Sequence, residues 1–179
     1  MVDIMTFDVD KFKGISMPVF SWDYQGLPIF EHWFYMANAY LSCCQHLLSE
    51  MADERFERNF FRAKVCVALY DQAIELFFKG AITLVDEKVI TSHNLSELHK
   101  RYKDLYPEKE FLFEVDIANV VKKNDYWVYN EFARYPVDKD GNPWQGNTHI
   151  DIVLWLKNII LTQKDFSRLE PLLLQKYTK

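Results

Sequence analysis

The amino-acid sequence predicts an all-α fold: an antiparallel bundle of about five helices, with an irregular or extended arm in front of it. Three observations carry the prediction. Apolar residues recur at three- and four-residue steps over long stretches, as a helix with one buried face requires. Only 5 Gly and 6 Pro punctuate 179 residues, which suits long helices better than many short strands. Apolar residues make up 49% and charged residues 26%, the balance of a globular chain able to bury one substantial core. A single domain is expected over 1–179, with 1–27 as the arm and 28–179 as the bundle.

In the arm, Val2, Ile4, Phe7, Val9 and Phe12 sit among aspartates and lysines without a helical period. Gly14, Pro18, Gly26 and Pro28 then interrupt the chain, so an extended or hairpin-like path is expected. From residue 29 the period changes. Phe30, Trp33, Phe34, Ala37, Leu41, Cys44, Leu48 and Met51 mark a first amphipathic helix. The second helix, about 54–84, carries the longest stripe: Phe56, Phe60, Ala63, Val67, Tyr70, Ile74, Phe77, Ala81 and Leu84. Asp53 is its expected N-cap, with Glu54 and Glu57 favoured by the positive end of the helix dipole.

Asn94 is placed to cap a third helix, with Glu97 closing a capping box. Pro107 should end that helix near Tyr106. Residues 109–133 read as a fourth, less regular helix on Phe111, Val115, Ala118 and Val121. A turn-rich loop follows between Pro136 and Asn147. Thr148 should cap a fifth helix whose 150–161 stretch is apolar almost all round, a surface suited to a second subunit. Ser167, Glu170 and Pro171 predict a break near 165 and a short terminal helix.

Charge and cysteine content narrow the function classes. A net charge of −5 argues against a broadly basic face for gripping duplex phosphates. Cys43, Cys44 and Cys66 lack zinc-site spacing and read as reduced thiols of a cytoplasmic protein. The acidic start carries no apolar signal segment, and no run of about 18 apolar residues exists to cross a bilayer, so no membrane association is expected.

Within the second helix stand Gln72, Ala73, Glu75 and Lys79, and after the following loop His93-Asn94-Leu95. This pattern resembles the HEPN family (higher eukaryotes and prokaryotes nucleotide-binding domains), whose members pair a Gln-Ala-x-Glu-x-x-x-Lys-like helix with a His-Asp/Asn-Leu turn. Ala37, Leu41, Leu47 and Leu48 suit the family's first helix, and Arg134-Tyr135-Pro136 is similar to the close of its later helix, so the resemblance covers roughly 28–160. It implies a nucleotide- or RNA-associated binding module working as a homodimer, with Glu75, Lys79, His93, Arg134 and Tyr135 as candidate ligand-binding residues. No catalytic residue, cofactor or metal is assigned.

The departure from the family bears on activity. Its ribonuclease members carry an Arg separated from a His by four to six intervening residues; here those positions before His93 hold Lys88, Glu87 and Asp86, and no other histidine has the Arg either. The enzyme reading therefore ranks second, as a degenerate ribonuclease drawing His93 together with Arg101 or Arg134. A protein-interaction domain without a small ligand is the third.

Each candidate has a plainer explanation. Asp71, Glu75 and Lys79 read as a solvated stripe, in which the Glu75–Lys79 pair is worth about 0.2–0.5 kcal/mol. His93 reads as a staple packed on Leu98. Arg134 suits a helix C-terminus and Tyr135 a packed aromatic; the functional alternative is a phosphate contact, with Tyr135 or Trp144 stacked on a base. Asp138, Asp140 and Asn142 alternate as in a calcium loop, but Pro143 replaces the needed Gly and His149 the needed Glu.

Overall fold

The structure, a computed structural model, describes residues 26–53, 60–86, 90–120, 140–142 and 151–177. Among them every regular element is helical. They are α1 (Ile29–Ala52), α2 (Phe60–Asp86), α3 (Leu95–Leu105), a 3-10 turn (Lys109–Phe111), α4 described over 117–120, and α5 (Ile152–Tyr177). Residues 1–25 of the expected arm, the start of the second stripe at Phe56, and the Thr148 cap lie outside the described residues.

The α2 stripe organises the bundle. Val67, Tyr70, Ile74, Phe77 and Ala81 are all buried. Against them α1 runs antiparallel: Phe34 meets Phe77 at 5.2 Å between ring centroids, and the Cys44 thiol donates to the Cys66 carbonyl at 3.1 Å. Gly80 permits the close approach, since a Cβ there would stand 2.8 Å from Phe34 Cε1 and 3.2 Å from the Phe30 carbonyl oxygen. On the other side α5 runs parallel to α2. Phe77 stacks on Phe166 at 4.1 Å, and Tyr70 shares a 2.8 Å hydrogen bond with Thr162. α5 is antiparallel to α1, through Asn38 to Glu170 and Gln163 to Gln45.

Local signals account for several boundaries. The Glu97 N–H donates to Asn94 Oδ1 at 3.0 Å, so Asn94 caps α3 as expected. The reciprocal half of the box runs through Ser92, whose hydroxyl donates to Glu97 Oε2 at 2.8 Å. α3 stops at Leu105, ahead of Pro107. Asp53, the expected N-cap of the second helix, closes α1, its N–H donating to the Ser49 carbonyl; the stretch between it and Phe60 lies outside the described residues.

Two expectations are overturned by α5. The expected break near 165 is absent, and one helix runs through Pro171. An interior proline costs about 3 kcal/mol. Phe166, Leu169 and Leu173 are fully buried around it, each worth about 1.5–3 kcal/mol, so core burial outweighs the lost backbone bond. The fourth helix does not begin at 109. Asp165, fully buried on α5, accepts the N–H groups of Glu114 and Val115 at 2.9–3.0 Å, while Arg168 donates to the carbonyls of Glu110 and Leu112. Those contacts take up the backbone groups that a helix over 109–116 would use, and α4 starts only after Asp116.

Cys44 and Cys66 are buried free thiols, and Cys43 is exposed. The hydrogen bond at Cys66, together with burial, holds the Cys44 thiol above the usual thiol range. Among the described residues no helix is long and apolar enough to cross a membrane.

Candidate functional site

The residues from Ala73 to Thr83 are buried on every side of α2. Within this stretch only Glu75, Lys79 and Thr83 are neither apolar nor glycine, and with Asp71 they repeat every four residues. A four-residue step keeps side chains on nearly one face, so the sequence builds a polar seam. The structure corrects the solvated reading: Asp71 is 5%, Glu75 1% and Lys79 2% exposed.

The seam is internally bonded. Lys79 Nζ lies 3.0 Å from Glu75 Oε1, and the same oxygen takes a 2.8 Å hydrogen bond at His93 Nδ1. An ionised carboxylate only accepts, so the proton of that bond belongs to His93 Nδ1 and its Nε2 is left for other chemistry. The His93 side chain is 70% exposed. Glu75 therefore reaches from the core to fix an imidazole that faces water. The acid that orients His93 lies 18 residues earlier in the chain, on α2.

Trp33 completes the surroundings. Lys79 Nζ sits 5.6 Å from its ring centroid, within cation–π range. The buried indole N–H of Trp33 has no acceptor among the described residues. Each buried ion of such a group carries a desolvation penalty of several kcal/mol, repaid only when its partners are well placed. Here one carboxylate oxygen serves both Lys79 and His93.

The other candidates do not join this group in what is described. Arg134 and Tyr135, with Trp144, lie outside the described residues. Arg101, the alternative cation for a ribonuclease, is paired with Asp86. Of the calcium-like loop only 140–142 is described, with Gly141 at φ 82°. Among the described residues no group of three or more metal-ligating side chains converges. On α5, Val153, Leu154 and Ile160 point outward, 41–60% exposed.

Sequence reasoning missed Trp33 and the burial of the seam. A signal for the latter was present: Ile74, Leu76, Phe77 and Phe78 surround Glu75, and Gly80, Ala81 and Ile82 follow Lys79. A helix apolar all round has no wet face to offer its charges. No family model, curated protein or solved structure matches the chain.

Proposed function

We propose that the chain is a nucleotide- or RNA-associated binding module in which His93 meets a phosphate group of the ligand. The observation that carries this reading is the contact of a water-facing imidazole with the buried Glu75 carboxylate, 2.8 Å away. Orienting a surface ring from the core costs the burial of a charge and is unnecessary for folding alone. A ring held at Nδ1 presents Nε2 in one direction, and in its protonated form that nitrogen donates a charge-assisted bond to a phosphate oxygen. The resemblance of the Gln72–Lys79 helix and the His93-Asn94-Leu95 turn to HEPN domains agrees with this reading. The missing Arg ahead of His93 favours binding over cleavage. Homodimerisation through the outward apolar side chains of α5, in the cytoplasm, belongs to the same proposal.

Isothermal titration with ATP and with a short single-stranded RNA tests it. Saturable binding should weaken about 10- to 100-fold in His93→Ala, the worth of one charge-assisted hydrogen bond. Because His93 is mostly exposed, the variant should keep the wild-type fold by circular dichroism. No binding of either ligand to the wild type sinks the proposal.

A second reading rests on the same couple. A carboxylate-held imidazole is arranged to take a proton at Nε2, as a ribonuclease requires. RNA cleavage lost in His93→Ala would favour it.

A further inference from the structure

We propose that Tyr106, Phe111, Tyr177 and Glu108 form a binding site for a quaternary ammonium group, occupied in this conformation by the chain's own Lys176. The site lies where the end of α3, the 3-10 turn and the last turn of α5 meet, and it does not depend on the function proposed for His93.

Lys176 Nζ stands 4.8 Å from the ring centroid of Phe111, 5.4 Å from Tyr106 and 5.8 Å from Tyr177. Glu108 Oε1 accepts from the same nitrogen at 2.7 Å. Three ring faces and one carboxylate around a single cation are the chemistry that recognises methylated ammonium groups. The rings supply quadrupole attraction and apolar contact, and the acid supplies charge without requiring an N–H donor.

Two of the walls, Tyr106 and Phe111, are held by contacts that do not involve the occupant. The Tyr106 hydroxyl donates to the Ala81 carbonyl at 2.7 Å, and the Tyr102 hydroxyl to the Phe111 carbonyl at 2.8 Å. Burial keeps the Tyr106 phenol above its usual range, so it remains a neutral ring and donor. Arg168 clamps the carbonyls of Glu110 and Leu112, one on each side of Phe111. Tyr106 and Phe111 also pack on each other at 5.3 Å. Removing the lysine would leave these two rings in place.

The occupant, by contrast, is partly open to solvent. Lys176 lies in the last described turn of α5, and its side chain is 30% exposed beside a Glu108 that is 48% exposed. The mouth thus opens to water. Lys176 acts as an internal competitor, and a ligand must displace it to enter.

The test compares wild type with Lys176→Met, which removes the charge and keeps an apolar stem. Choline and a trimethyllysine peptide are titrated while the ring resonances of Tyr106 and Phe111 are followed by NMR. A neutral isostere of choline, with carbon in place of nitrogen, is the control. Lys176→Met should show saturable shifts with a quaternary ammonium ligand, and wild type should bind about tenfold more weakly, because an in-cis occupant competes at high effective concentration. Glu108→Gln in the Lys176→Met background should weaken binding again. Saturation by choline points to a free small molecule, and saturation by the peptide alone points to a modified partner protein.

Absence of saturable shifts, equal binding of the neutral isostere, or equal affinity in wild type and Lys176→Met overturns the proposal. A readout that needs no substitution is reductive 13C-methylation of the wild-type lysines. The Lys176 dimethylammonium signal should be moved upfield by the rings, and a solvent-like position overturns the assignment of the occupant.

Discussion

Replacing Glu75 or Lys79 separates a buried functional seam from an ordinary surface pair. On a wet helix face the pair contributes about 0.2–0.5 kcal/mol, and removing either partner is barely measurable. Here the two side chains are 2–3% exposed and 3.0 Å apart. Glu75→Leu leaves the Lys79 ammonium buried without its carboxylate, and Lys79→Met leaves the carboxylate without its ammonium. Breaking a buried pair from one side costs about 3–5 kcal/mol. At roughly 2–4 °C per kcal/mol for a domain of this size, a loss near 4 kcal/mol lowers Tm by about 8–16 °C. The double variant Glu75→Leu/Lys79→Met removes both ions and fills similar volume, so its stability should return to within about 1–2 kcal/mol of wild type. Urea unfolding monitored by circular dichroism gives all four corners of the cycle. Single variants that each cost less than about 1 kcal/mol, or a double variant whose loss is the sum of the singles, would refute the buried-pair reasoning.

Gly80→Ala is expected to lower stability by about 1 kcal/mol, although alanine is the better helix former. The new Cβ would stand 2.8–2.9 Å from the Phe34 ring, which also packs on Phe77, and overpacking of about 1–3 kcal/mol exceeds the propensity gain of about 1. Thermal melts check the sign, and a stabilised variant would show that α1 moves aside freely. His99, stacked on Phe78 at 5.5 Å, is held below the ordinary histidine value of 6.5 by desolvation and then by the nearby charge of Lys103. A base depressed in the folded state binds its proton more readily when unfolded. Its contribution is therefore full above the unfolded value and is lost as pH falls through and below about 6.5. His99→Phe should flatten the stability profile between pH 7 and 5, and an unchanged slope would remove His99 as its cause.

The fold was legible where one signal decided the outcome. The apolar period from Val67 to Ala81 leaves only a helix as its explanation, and Asn94 and Pro107 bracket α3 because capping and proline geometry act within a few residues. Pro171 misled because its local cost is visible in the sequence, whereas the burial of Phe166, Leu169 and Leu173 that offsets it belongs to tertiary structure. Residues 109–116 misled for a similar reason: the acid that captures their backbone, Asp165, comes about 50 residues later. At the candidate site, residue identity was legible and environment was not. Glu75 and Lys79 have the same spacing whether they face water or core, and nothing local links Glu75 to His93 across 18 residues. Trp33, a core position by its period, gave no sign that its indole would meet Lys79.

The placement of α5 has a consequence for how the protein is made. Gln163 and Glu170 reach α1, Thr162 and Phe166 reach α2, and Asp165 and Arg168 hold the segment after α3. A nascent chain that has emerged only as far as α3 therefore exposes the ring of Phe77 that Phe166 later covers, and lacks the acid that shapes residues 112–116. The α1–α2 hairpin can assemble from nearby partners, but the core waits for a segment more than 60 residues further on, a long loop to close. During that interval the aromatic surface around Phe77 stays uncovered, and it is closed only when Phe166 arrives with α5.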